Sequence, residues 1–308
     1  MDGHNFDVFA DLREHLGTFR GERPVYVPNP GNAGDSLIAH ATYQLFDRIG
    51  LDYDVGDERE TYPGRAIIYG GGGNMVRPLI NLRNFLVKNA PICERLTVLP
   101  QSFRDYGEVV EGLGANCTLF CRDRVSHGFL RQHARAATVA LSHDLALGTD
   151  IAHTMADGKR LPLLPLSNPG RARRNVRPLL RTARARLGPS KTLNCFRGGL
   201  EKTDIPIPRD NLDVSRIYAT GIMSKEVALE SSYRMAKLMS RYDTVNTNKL
   251  HVSILGALLG KTVNLFDNSY GKNRSIYDHS LSRLFPNVHW RGGAVDPGAG
   301  QRDIFPLH

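Results

Sequence analysis

Short runs of apolar residues, each closed by a polar or glycine-rich turn, recur along the chain at Val25–Pro28, Ala66–Tyr69, Leu96–Leu99, Cys117–Cys121 and Thr138–Leu141. Apolar runs of this length between turn signals read as buried strands. Between several of them the spacing changes to three and four. Leu37, Ile38, Ala41, Leu45 and Ile49 mark the inner face of a helix over about Ser36–Ile49, and a second helix is expected over about Val125–His133. The first twenty residues form a short amphipathic lead-in. The strand rhythm resumes at Thr192–Phe196, followed by a helix over Ser224–Ser240 and a strand around Val245. Leu250, Ile254, Leu255, Leu258 and Leu259 then share one helix face, with Thr247 or Asn248 placed to cap it and Gly260 to close it. Thr262–Phe266 is the next strand, so this stretch is a βαβ unit. Strands alternating with helices predict open, mostly parallel α/β sheets, whose strand C-termini line a ligand crevice.

The rhythm breaks once, between Met155 and Ser190, where Pro and Arg accumulate. The expected organisation is therefore an N-terminal Rossmann-like domain over 1–155, a basic linker over 156–190, a C-terminal Rossmann-like domain over 191–290 and a loose tail over 291–308. A length of 308 residues accommodates two such domains, and 41% apolar with 23% charged residues is the composition of a soluble globular protein. No apolar run approaches the ~18 residues of a membrane span. The acidic, charge-broken N-terminus does not read as a signal peptide. Cys93, Cys117, Cys121 and Cys195 lack zinc-type spacing and are expected as reduced thiols of a cytoplasmic protein.

Charge changes the picture in one place. Ten Lys or Arg and no Asp or Glu lie between Lys159 and Lys191, and this segment accounts for the net charge of +9. Nucleic acid is not the expected partner, since neither a recognition motif nor interleaved aromatics accompany the cations. The segment reads either as a solvated linker or as a contact for an anionic membrane surface or glycolipid.

The candidate chemistry lies at the ends of the strands. Lys249 and His251 stand at the start of a helix, where backbone N–H groups and the macrodipole already favour an anion. Lys272 follows the next strand in a glycine-containing loop, and Arg197 follows the strand at Thr192–Phe196. Cations gathered on such an edge suit a phosphate or carboxylate. Four consecutive glycines, Gly70 to Gly73, allow the backbone either to approach a ligand or to pack closely on a facing loop. Asp35 reads as a helix N-cap, with the handling of a hydroxyl as its functional alternative. His143-Asp144 has no third ligand at useful spacing, so no metal is expected.

Taken in order, several segments resemble the polysaccharide pyruvyl transferase family: Asn32-Ala33-Gly34-Asp35-Ser36-Leu37-Ile38, Gly70 to Asn74, Leu99-Pro100-Gln101-Ser102, Arg122-Asp123-Arg124-Val125-Ser126, Asp144, Phe196-Arg197, Asn248-Lys249-Leu250-His251, and Ser269-Tyr270-Gly271-Lys272-Asn273. The resemblance implies two Rossmann-like α/β domains facing across a cleft, as in GT-B glycosyltransferases. The implied activity is transfer of a pyruvyl group from phosphoenolpyruvate to a sugar, as a cyclic ketal, with no cofactor beyond that donor. It also implies an acceptor glycan, often carried on lipid at the cytoplasmic face of the inner membrane. His251 and Asp35 become the catalytic candidates, and Asp123 or Asp144 is the alternative base. Arg197, Lys249, Lys272, Asn32, Gly71, Gly72, Asn74, Gln101, Asp123 and Asp144 become the substrate-binding candidates. Lys249 occupies a position where Arg is expected, and a Lys offers a point charge in place of a bidentate fork. Two rivals share these features: a nucleotide-sugar glycosyltransferase of the same architecture, and a non-catalytic binder of anionic glycans or lipids.

Overall fold

The computed structural model describes residues 8–162, 170, 173, 176, 182, 190–198, 205–269 and 271–292. Two parallel sheets organise the described chain. The first contains β1 (Val25–Val27), β2 (Asp54–Val55), β3 (Ala66–Tyr69), β4 (Gly72–Met75), β5 (Arg95–Phe103), β6 (Cys117–Cys121) and β7 (Thr138–Leu141). Their order is β2-β1-β3-β5-β6-β7, with β4 paired to the far half of β5. The second contains β8 (Thr192–Cys195), β9 (Thr244–Thr247), β10 (Thr262–Leu265) and β11 (Val288–Trp290), in the order β11-β10-β9-β8.

Burial explains why these runs are strands. In β3, Ala66 and Ile68 enter one apolar core while Ile67 and Tyr69 enter another on the opposite face. A parallel sheet covered on both sides needs apolar residues at every position, which is why period-two alternation is absent. One face is covered by helices α1 (Ala10–Gly17) and α2 (Ala33–Ile49). The other receives α3 (Asn81–Asn89), α4 (Gly107–Glu111) and α5 (Arg124–His133). The second sheet differs. Leu193, Val245, Val263 and Val288 turn inward, and Asn194, Asn246 and Asn264 pair across the outer face at 2.9 and 2.7 Å. Its inner face joins the core that contains α1 and α2, so one apolar cluster runs through both halves.

Three local expectations change. The cap of α2 is Asn32, not Asp35, and the helix starts three residues earlier than its apolar spacing indicated. Asn32 Oδ1 accepts from Gly34 N–H at 2.8 Å while Asp35 Oδ2 accepts from Asn32 N–H at 2.8 Å, a reciprocal capping box. The glycine run is not all loop, because Gly72 to Met75 pairs with Gln101 and Phe103. Pro100-Gln101-Ser102 likewise continues β5 instead of ending it. Pro100 has no N–H to give, and it sits where the β5–β6 register shifts between Val98 and Gln101.

The expected boundary near residue 155 falls inside α6 (Ile151–Gly158). A side chain at Gly158 would collide with Tyr233 of the Lys225–Met239 helix, and Arg234 donates to the Pro162 carbonyl at 2.9 Å. Most of the basic segment, Gly199, Tyr270 and all of the tail beyond Gly292 lie outside the described residues. No described helix is long and apolar enough to cross a membrane.

Candidate active site

A cavity of about 230 Å³ lies where the C-terminal edges of the two sheets meet. The first sheet supplies Asn32, Asp35, Asn74 and Arg122 to its lining, and the second supplies Arg197, Lys249, His251 and Lys272. Seven of these eight were expected as site residues. Sequence reasoning assigned no role to Arg122, although its motif was noticed.

Arg122 follows β6 directly and is 1% exposed. A buried guanidinium is tolerable only when paired and hydrogen-bonded. Here Nη1 meets Asp144 Oδ2 at 2.7 Å and Nε donates to Ser102 Oγ at 2.9 Å. Asp144 also accepts from Ala146 N–H at 2.9 Å. Burial alone raises the Asp144 carboxyl, but Arg122 and then His251 outweigh it and hold the group well below the usual carboxylate range. His251 Nε2 stands 3.4 Å from Asp144 Oδ2 and 3.5 Å from Arg122 Nη1. Asp144 therefore touches both a cation and the candidate catalytic ring from beneath the cavity.

The ring of His251 lies across the first turn of α2. A Cβ on Gly34 would stand 2.9 Å from both Cβ and Cγ of His251. Only glycine permits the second sheet's histidine to approach the first sheet's helix so closely. The next residue, Asp35, has its pKa raised by burial, with opposition from His251, the Asn32 N–H, Arg122 and Lys272. Its carboxylate is thus a stronger proton acceptor than a solvated aspartate.

Other candidates serve the walls. Gln101 is fully buried; it donates to the Gly70 carbonyl at 2.9 Å and accepts from Asn74 N–H at 3.2 Å. Gly71 and Gly72 lie behind the lining. Side chains there would strike the Pro100 carbonyl and Asn29, respectively. Asn29 bridges the same elements, with its amide on the Gly71 carbonyl at 3.1 Å and its oxygen bonded to Asn74. Asp123 caps α5 through Ser126 N–H at 2.9 Å and meets Arg104 at 3.0 Å, away from the cavity. Burial opposes ionisation of Asp123, but Arg104 and Ser126 prevail and its pKa is lowered.

At the second sheet's edge, Lys249 precedes the Leu250–Leu258 helix without capping it. Neither expected cap is a side-chain N-cap there. Thr247 Oγ1 accepts from Lys249 N–H at 3.0 Å, and Asn248 Oδ1 accepts from Arg197 N–H at 2.8 Å. Gly260 ends that helix at φ +69°. Lys249 Nζ is committed to both Asp213 oxygens at 2.7 Å and to Ser215 Oγ at 2.8 Å. Burial lowers its pKa and Asp213 opposes the shift. Asp213 was not anticipated; besides holding Lys249 it caps the short helix Val214–Ile217. Lys272 N–H is held by Asn268 Oδ1 at 2.8 Å, fixing its loop against the cavity.

Fold and site define an α/β protein of two parallel sheets with a cation-rich cavity at their junction. Among families of known proteins, the polysaccharide pyruvyl transferase model matches residues 32–270, and the chain belongs to that family. It is 24% identical over 316 residues to a Bacillus subtilis (strain 168) protein named "Putative pyruvyl transferase EpsO", covering 92% of this chain and 91% of that one. The crystal structure of KP1_0663, a functionally uncharacterised protein of Klebsiella pneumoniae subsp. pneumoniae NTUH-K2044, superposes with a TM-score of 0.72 at 26% identity. That match covers 92% of this chain and 98% of the Klebsiella chain.

Proposed function

We propose that the protein transfers pyruvate from phosphoenolpyruvate to two hydroxyls of one sugar in a surface glycan, forming a cyclic ketal and releasing phosphate. The observation that carries this reading is the convergence of Arg122, Arg197, Lys272 and His251 with Asp35 on one small cavity. Phosphoenolpyruvate bears a phosphate and a carboxylate on three carbons, so its site must offer several cations within a short span. The cavity is also smaller than the ~300–1,000 Å³ of pockets that enclose drug-sized ligands, which favours a compact donor over a sugar nucleotide.

In this reading the two sheets are Rossmann-like units of GT-B type, with the donor held at the second sheet's edge and the sugar entering from the first. Arg197 and Lys272 bind the donor's anionic groups, and Arg122, fixed by Asp144, supplies a further charge from below. Lys249, tied to Asp213, holds the loop from which His251 starts. His251 gives a proton to the methylene carbon, making the central carbon electrophilic. One sugar hydroxyl adds to that carbon while Asp35 accepts its proton. The C–O bond to phosphate breaks, and the second hydroxyl closes the ring. Of the two hydroxyl protons, one replaces that given to the methyl group and one leaves with phosphate.

The test is a thermal-shift comparison of phosphoenolpyruvate with UDP, UDP-sugars and GDP-sugars. A ligand that binds only the native state raises the melting temperature. Stabilisation by phosphoenolpyruvate alone supports the reading; stabilisation by a sugar nucleotide alone replaces it with a glycosyltransferase.

A further inference from the structure

Lys272, one of the cations lining the cavity, opens the short helix Lys272–Ile276 of the second half. That half holds the helix through Asn273, whose amide donates to the Asn248 and Phe266 carbonyls at 2.7 and 2.9 Å, and through Ile276 in the apolar core. A helix this short does not hold its own geometry in water. Its orientation is set by what touches it, and on another side it is held by the first half.

Arg104 makes that contact. It follows β5 directly, and its N–H donates to the carbonyl of Met75, the last residue of β4, at 3.0 Å. The guanidinium is 17% exposed and lies outside the cavity lining. Nη1 donates to the Phe103 carbonyl at 2.9 Å and to Ser126 Oγ. Nη2 donates to Asp123 Oδ1 at 3.0 Å and to Ser275 Oγ at 3.1 Å. Ser275 Oγ in turn donates to the Lys272 carbonyl at 3.0 Å. The planar fork is thus fixed by three partners of the first half while it reaches a fourth in the second, a geometry that a lysine ammonium does not reproduce. Asp123 backs it from the core. Its Oδ2 also accepts from Ser126 Oγ at 2.8 Å and from Ser102 Oγ at 3.3 Å, and Ser102 Oγ accepts from Arg122 Nε. One carboxylate away from the cavity therefore stands behind two cations in it, Arg122 through one hydroxyl and Lys272 through Arg104 and Ser275.

We infer that Arg104 is a positioning residue for the donor site, the first half's hold on the helix that carries Lys272. This rests on the reading of Lys272 as a ligand of phosphoenolpyruvate, and it assigns part of the donor's affinity to a residue of the sugar-receiving half that never touches the donor. Without the contact the helix keeps its anchors at Asn273 and Ile276, so the chain folds. Lys272 then has more freedom, and the cost of ordering it falls on the ligand.

Isothermal titration of phosphoenolpyruvate into Arg104→Met and Ser275→Ala tests the inference. Ser275→Ala breaks the same relay but leaves the Arg104–Asp123 pair intact, so it decides the matter if Arg104→Met fails to fold. Each change should raise the Kd about three- to tenfold at an unchanged number of sites per chain. In a Lys272→Ala background the same changes should cost nothing further. A merely structural role would instead lower the fraction of competent protein, seen as fewer sites at an unchanged Kd. The inference is overturned by that pattern, by wild-type affinity in the folded variants, or by losses that add to that of Lys272→Ala. A wild-type chain that binds no phosphoenolpyruvate overturns the donor reading and this inference with it, an outcome that the wild-type titration alone tells apart from the others.

Discussion

Asp35 lines the cavity and Asp144 lies buried beneath it, yet their surroundings drive the two carboxylates in opposite directions. Burial disfavours charge on both. For Asp144, Arg122 at 2.7 Å and the nearby His251 reverse that effect, so the carboxylate is held ionised. For Asp35 the nearby cations do not overcome burial, and its pKa stays raised. The difference separates a group that organises the site from one able to take up a proton within it. A carboxylate locked against a guanidinium is a weak base, whereas one kept short of partners is a stronger base.

The largest effect expected from breaking this contrast is on stability. Asp144→Ala leaves the Arg122 guanidinium buried without its counter-charge, at a cost of about 3–5 kcal/mol, measurable by chemical denaturation at pH 7. The pH dependence has a defined sign. Because the Asp144 pKa is depressed on folding, its stabilisation is complete above the ordinary carboxylate value of about 3.9. It is lost as pH falls below that value toward the folded one. Asp144→Asn should remove this part of the wild-type acid dependence.

A smaller effect should follow at Gly34, where the two halves touch. Gly34→Ala forces the His251 ring away from α2, costing about 1–3 kcal/mol for the overpacked contact. That cost is partly offset by alanine's better helix propensity of about 1 kcal/mol. The clearer readout is turnover, which should fall while phosphoenolpyruvate affinity changes little. If the Gly34→Ala protein is as active as wild type, the position of His251 against α2 is unimportant to the reaction.

The smallest change in stability is expected at Asp35. A raised carboxylate pKa means that its contribution to stability is greatest at low pH and declines as pH rises through the folded value. At neutral pH, Asp35→Asn removes a disfavoured charge and still offers an oxygen to Asn32 N–H. Stability should stay within about 1 kcal/mol of wild type or rise slightly, while turnover collapses. Full activity in this variant would reduce Asp35 to half of a capping box.

Much of this arrangement was legible in the sequence. Buried strands such as Ala66–Tyr69 and Cys117–Cys121 were found at their observed limits, because uninterrupted apolar runs between turns have few other uses. The strand-end positions of Arg197, His251 and Lys272 followed from the same reading. What escaped depended on partners distant in sequence. β4 forms only because the far half of β5 is there to pair with it. Helix α2 is buried nearly all round, since the Lys225–Met239 helix and the first sheet enclose it from different sides, so its apolar spacing understated its environment. Arg122 and Asp123 are adjacent in sequence but point to different places. The acidic residue drew attention, yet it is the arginine that lies against the cavity, through Asp144, which is 22 positions away. Lys249 was read as a substrate-binding cation, and nothing local indicated that Asp213, 36 residues earlier, would claim it.

If the junction of the two sheets holds phosphoenolpyruvate as proposed, the cations that line it must carry the affinity. Isothermal titration of phosphoenolpyruvate into the wild-type chain and into an Arg197→Ala, Lys272→Ala double variant tests it most directly. One site per chain is expected, with affinity reduced about a hundredfold or more in the variant, from two lost charge-assisted hydrogen bonds at about 1.5–3 kcal/mol each. Equal affinity in both proteins, or no binding to the wild-type chain, would contradict it.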